Sequence, residues 1–271
     1  MPQQVVRTGV TLNYEITGEG DPVVLVMGTS GSMGLWGEMV PRLSERHQVI
    51  AFDNRGLGGS DRGEGAITAA SMAEDTAALL EALEVPAAHA LGWSLGSAVV
   101  QELALAHPGL VASAVLYATW GRCDGFQRSV FTALRHPYAT GDMEAALGAA
   151  GLAFSPQILD RPDFLQLLEP MLPAFPQGEA QMAVTTEQWD ADLAHDTLGR
   201  LGDITAPTLV VVGEQDLLTP PWQAKAVADA IPGARYELVT GPGSSHGMHI
   251  ERPDDLLGIV TGFLDEHPIK G

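Results

Sequence analysis

The first 120 residues carry two alternating patterns of apolar positions. One is the short continuous apolar run bounded by turn residues, which fits a strand buried on both faces. Residues 22–27 (PVVLVM), 49–52 (VIAF), 88–92 (AHALG) and 111–117 (VASAVLY) are of this kind. The other is helical periodicity, in residues 39–46, 71–83 and 95–106. Ser71 followed three residues later by Glu74 matches a capping box and places a helix start there. Residues 5–10 and 12–16 read as two further strands joined by a turn, an antiparallel opening. Strand and helix in alternation predict a parallel sheet covered on both faces.

The rhythm stops after Trp120. Residues 121–203 show no good strand, only short helical patches cut by Pro137, Pro156, Pro162, Pro170, Pro173 and Pro176. It returns with strands at 207–212 and 236–239 and helices at 223–230 and 254–266. The expected fold class is α/β, a mostly parallel doubly wound sheet. Residues 1–120 and 204–271 form its core, and residues 121–203 a helical cap insertion.

Composition narrows the partners. Of 271 residues, 14 are Lys or Arg and 34 are Asp or Glu, a net charge of −20. Such a surface repels phosphate backbones and anionic headgroups, so neither nucleic acid nor a membrane is an expected partner. A single cysteine, Cys123, excludes an internal disulfide. The N-terminus lacks a charged segment followed by an apolar one, and no apolar run reaches the roughly 20 residues of a membrane span. The expectation is a soluble cytoplasmic protein.

Chemistry concentrates in three places. Gly92-Trp93-Ser94-Leu95-Gly96 matches G-x-S-x-G and falls between a predicted strand and a predicted helix. A sharp turn there exposes a serine hydroxyl above free helix N–H groups. A serine nucleophile needs a base, and the base an orienting acid. Asp216 follows the strand at 207–212, with Glu214 as a competing acid. His246 follows the last strand, with His249 as a competing base. The order Ser, Asp, His is the one this strand-to-helix turn goes with. No H-E-x-x-H or Cys/His cluster is present, and no glycine loop has the residues of a phosphate or dinucleotide site, so neither metal nor cofactor is expected.

On Gly92–Gly96, Gly213-Glu214-Gln215-Asp216, His246 with Glu251-Arg252-Pro253, and the loop Asp53-Asn54-Arg55-Gly56-Leu57-Gly58-Gly59-Ser60, the chain resembles the α/β-hydrolase-fold superfamily over essentially its whole length. It is similar in particular to the esterase, lactonase and 3-oxoadipate enol-lactonase subgroup. The loop matches D-x-R-G-x-G-x-S. The resemblance places the base five residues before the Glu of E-x-P, which favours His246 over His249. It also implies an oxyanion hole from the Thr29 and Leu95 N–H groups, although Met27-Gly28-Thr29 stands where many relatives have His-Gly. Gly28, Ser30, Trp36, Trp93 and Trp120 are candidate pocket residues. The implied activity is cofactor-free hydrolysis of a carboxylic ester or lactone through an acyl-enzyme. C–C bond hydrolysis, perhydrolysis or cyclisation by the same triad, and a ligand-binding protein on this scaffold, are the alternatives. The apolar cap with its arginines Arg122, Arg128, Arg135 and Arg161 leaves both a medium-sized hydrophobic ester and a small anionic lactone open.

Overall fold

The computed structural model describes residues 2–269. Its strands are β1 (Gln3–Val5), β2 (Thr11–Thr17), β3 (Pro22–Val26), β4 (Gln48–Phe52), β5 (Ala88–Trp93), β6 (Val111–Tyr117), β7 (Thr208–Gly213) and β8 (Arg235–Val239). They form one eight-stranded sheet in the order β1-β2-β4-β3-β5-β6-β7-β8. β1 and β2 are antiparallel, and from β4 to β8 every pairing is parallel.

The helices are α1 (Met39–Leu43), α2 (Ala69–Ala82), α3 (Leu95–Ala106), α4 (Gly125–Thr140), α5 (Met143–Ala150), α6 (Pro156–Leu159), α7 (Phe164–Leu168), α8 (Gly178–Ala194), α9 (Pro221–Ala230), α10 (Met248–Glu251) and α11 (Pro253–Asp265). Successive side chains of a strand point to opposite faces. Val24, Val26, Ala90, Leu116 and Val210 therefore join one apolar cluster with α2, α3 and α9. Val23, Leu25, Leu91, Val115 and Leu209 join another with α1 and α11. Both faces of the central strands are buried, which is why these strands read as unbroken apolar runs.

Local details differ from the sequence reading. The first strand is Gln3–Val5, not residues 5–10. Residues 6–10 instead form a turn, closed by the Gly9 N–H on the Val6 carbonyl at 2.9 Å and the Val6 N–H on the Val10 carbonyl at 3.0 Å. The capping box of α2 lies one turn earlier than Ser71 and Glu74. Thr68 is the N-cap, and its hydroxyl and that of Ser71 each accept the other's backbone N–H at 3.0 Å. Pro137 does not cut a helix but sits inside the 16-residue α4, near its C-terminal end. Between β6 and β7 the described residues contain α4 to α8 and no strand beyond a single Arg122–Asp196 bridge.

The loop after β4 is held by buried charge. Asp53 accepts from the Met33 N–H at 2.8 Å, the Gly59 N–H at 2.9 Å and Asn13 Nδ2 at 2.7 Å. Arg55 grips Asp75 of α2 through Nε at 2.5 Å and Nη2 at 2.7 Å, with both side chains at most 5% exposed. Removing one partner strands the other charge in the interior. Asp75→Ala is therefore expected to lower unfolding stability by about 3–5 kcal/mol, read by urea denaturation. A loss under about 1 kcal/mol, the range of an exposed ion pair, would refute this role.

Candidate active site

The turn from β5 to α3 is set by its glycines. A Cβ on Gly92 would lie 2.2 Å from the Gly96 carbonyl oxygen, and one on Gly96 would lie 1.9 Å from that of Val26. With no side chain at either position, the chain reverses tightly enough to place Ser94 at φ 55°, ψ −122°. This region is costly for a residue with a Cβ and persists only where the surroundings enforce it. Here the Ser94 N–H donates to the Tyr117 carbonyl at 3.0 Å, and its carbonyl accepts from the Ser97 N–H at 2.8 Å. Among the described residues no hydrogen bond reaches the Ser94 hydroxyl. The loop after β3 crosses directly over this turn, since a Cβ on Gly28 would stand 3.1 Å from Ser94 Cβ.

Asp216 and His246 meet behind the serine. His246 Nδ1 lies 2.9 Å from Asp216 Oδ2 and 3.0 Å from Oδ1, with both side chains almost fully buried. The carboxylate is fixed independently: Oδ1 accepts the Leu218 and Thr219 N–H groups at 2.9 Å, and Oδ2 the Thr219 hydroxyl at 2.8 Å. The competing acid, Glu214, instead accepts the Gly241 N–H at 3.0 Å. The His246 carbonyl receives Trp93 Nε1 at 2.9 Å and the Tyr117 hydroxyl at 2.7 Å. Burial raises the Tyr117 phenol well above its ordinary pKa and keeps it a donor. With Nδ1 committed to the carboxylate, the imidazole presents Nε2 on the cavity side.

His249 sits elsewhere. Its ring lies 4.3 Å from that of Trp93 and 5.8 Å from that of Trp36, as part of the packing under the sheet end. Burial, then the nearby His246, lowers its pKa to about 3. Among the described residues no three His, Cys, Asp or Glu side chains converge as metal ligands do.

Ser94 and His246 line one cavity of about 70 Å³, together with Gly28, Thr29, Ser30 and Trp93. Leu95 lies below it as the first residue of α3, without forming the wall. Neither Trp36 nor Trp120 is a lining residue, contrary to their selection from sequence. Trp36 is fully buried against His249, and Trp120 packs edge-on against Phe131 and His195. The remaining wall comes largely from the segment between β6 and β7: Leu134 and Tyr138 of α4, three alanines of α5, Phe154, Phe175 and Trp189. Among the described residues no Lys, Arg, Asp or Glu lines the cavity.

Of the contacts that join that segment to the core, two involve loops of the site, and sequence reasoning missed both. The Thr29 hydroxyl donates to Asp192 Oδ2 at 2.6 Å and the Ser30 N–H to Gln188 Oε1 at 2.9 Å. Glu251 accepts the Ser155 N–H at 2.8 Å and the Ser245 hydroxyl at 2.5 Å. Ser245 adjoins His246, so Glu251 braces the histidine loop. Its spacing to His246 was the available sequence signal.

A serine in a strained turn and a carboxylate-held imidazole share one apolar cavity, and comparison with known proteins gives the family. The alpha/beta hydrolase fold family model matches residues 21–253, and the chain belongs to that family. It is an enzyme of the hydrolase class. A protein of Azorhizobium caulinodans, provisionally named carbamate hydrolase RutD, is 34% identical over 257 residues, 94% of this chain and 95% of that one. A Mycobacterium tuberculosis protein, provisionally named non-heme bromoperoxidase BpoC, is 33% identical over 94% of this chain and 98% of its own length. The enol-lactonase of Burkholderia xenovorans superposes with a TM-score of 0.86 at 26% identity, covering 97% of this chain and 100% of that one.

Burial predicts that His249 stays neutral above about pH 3, since a lowered histidine pKa means that the ring loses its proton early as pH rises. A ¹⁵N imidazole titration checks this. A midpoint near the ordinary value of about 6.5 for His249 would contradict it.

Proposed function

We propose that the protein is a serine hydrolase that cleaves a carboxylic ester or lactone through an acyl-enzyme. The observation that carries the reading is the buried Asp216–His246 pair facing a cavity that Ser94 also lines. Ser94 Oγ attacks the carbonyl carbon, and His246 Nε2 accepts its proton. Asp216 stabilises the imidazolium that forms. The oxyanion points at the Thr29 and Leu95 N–H groups, neither of which has a protein acceptor among the described residues. His246 returns its proton to the leaving alkoxide. Water, deprotonated by His246, then releases the acid and frees Ser94.

Residues 121–203 act in this reading as a cap over the core of residues 1–120 and 204–271. Burial of the reacting atoms beneath it excludes bulk water and strengthens every electrostatic contact. The cavity also narrows the substrate. Arg122, Arg135 and Arg161 are paired at the surface with Asp196, Asp190 and Asp163, and Arg128 is exposed. With no cation on the cavity wall, an anionic lactone has nothing to offset its desolvation. An uncharged acyl group is favoured. About 70 Å³ holds a short one, whereas common ligand sites span roughly 300–1,000 Å³, so larger acyl groups need the cap to move.

A second reading has one specific support, the similarity to BpoC. Hydrogen peroxide in place of water at the acyl-enzyme would release a peracid. Peracid formation from acetate and peroxide tests it.

Ser94→Ala is expected to lower kcat toward p-nitrophenyl acetate by about 10⁶. His246→Ala should abolish turnover, and folded His249→Ala should keep a substantial fraction. Retention of a tenth of the activity by the Ser94 variant would defeat the assignment. For acyl length, kcat/KM should fall from acetyl to decanoyl esters, and Phe154→Ala should shift the optimum to longer chains. An unchanged ranking in that variant would refute the proposed role of the cap.

A further inference from the structure

Gln188 and Asp192 stand four residues apart on α8 and so share one face of that helix. Both are almost completely buried, at 0% and 1% exposure. They bind consecutive residues of the loop after β3: Gln188 the Ser30 N–H, Asp192 the Thr29 hydroxyl. Ser30 itself is held in the left-handed region at φ 65°. Thr29 is thus held by a helix of the cap through its hydroxyl and through the peptide that follows it. Burying an amide and a carboxyl is costly without partners, and packing alone gives no reason for either at these positions.

We propose that Asp192 is a positioning residue that holds Thr29 so that its N–H faces the oxyanion. The proposal rests on the serine-hydrolase reading and adds to it the source of the loop's alignment. The Thr29 hydroxyl donates to one Asp192 oxygen, and the other oxygen has no partner among the described residues. Burial raises this carboxyl to about 8, with the Thr29 hydrogen bond opposing only part of the effect. Among the described residues no cation is hydrogen-bonded to it. The Cys123 thiol, 3.4 Å from the Asp192 carbonyl, is pushed up to about 12 by burial. His195, just beyond α8, is lowered to about 4, and burial raises the Tyr138 phenol on α4. Arg135 of α4 is engaged with Asp190, and Arg128 is exposed on the same helix. Near neutral pH, Asp192 therefore holds Thr29 without a negative charge beside the developing oxyanion. Its ionisation above about pH 8 places that charge where it opposes the transition state.

The test is steady-state kinetics with p-nitrophenyl acetate across pH 6–10, with Ser94→Ala as reference. Thr29→Val keeps the backbone N–H but removes the hydroxyl, and should lower kcat by about 10- to 100-fold with KM changed less than about threefold. Thr29→Ser should restore most of kcat. Asp192→Asn, a mimic of the neutral acid, should keep kcat within about threefold at pH 7 and lack the alkaline fall of the wild type. Asp192→Leu should match Thr29→Val, and the double variant should lose no more than either single one. If Asp192→Leu does not fold, the Thr29 pair and the Asp192→Asn pH profile decide. Full kcat in Thr29→Val, or an alkaline limb that persists in Asp192→Asn, overturns the proposal. An active Ser94→Ala would instead overturn the reading beneath it.

Discussion

The structure depends on one backbone constraint, the passage of the chain through Ser94 at positive φ between a central parallel strand and the helix that follows. Gly92 and Gly96 make the turn possible, because a side chain at either would meet backbone within about 2 Å. The strain is local and is borne by the sheet. β5 is paired with β3 and β6 over its length, and the Ser94 N–H is held by the carbonyl of Tyr117, the last residue of β6. A sheet that is buried on both faces cannot relax at that point. The stability of the doubly wound core and the exposure of the serine are thus one arrangement.

The strands on either side bring the partners to the same end of the sheet. In an open parallel sheet, sites form beyond the carboxyl ends of the strands. Ser94 follows β5, Asp216 follows β7 and His246 follows β8. The loop of Thr29 follows β3, which neighbours β5. Side chains behind the site then fix what the strand ends bring near. Tyr117 and Trp93 hold the His246 carbonyl, and the amides after Asp216 hold its carboxylate. α8 closes the arrangement from above through Gln188 and Asp192.

Much of this was legible in the sequence because it is local or periodic. Buried parallel strands write themselves as apolar runs, and the Gly92–Gly96 spacing reports a turn that few other residues permit. The misplaced features are those where a local rule had a close competitor. Ser71 and Glu74 fit the capping box, but the Ser71 hydroxyl folds back to Thr68 and the helix begins one turn earlier. Pro137 looked like a break, yet near a helix C-terminus it forfeits a single hydrogen bond. Trp36 and Trp120 are candidate pocket residues by sequence, yet both belong to the apolar clusters of the two sheet faces. Asp192 and Gln188 gave no signal, because their partners lie more than 150 residues away and meet them only once the helices between β6 and β7 are in place.

The central claim is that Ser94 is the atom source of the covalent step. Incubation with a small fluorophosphonate, followed by intact-mass and peptide mass spectrometry, tests it most directly. The account predicts a single adduct on Ser94, formed in the wild type and in Thr29→Ser but not in Ser94→Ala. An unmodified folded wild type, or an adduct on any other residue, would contradict it.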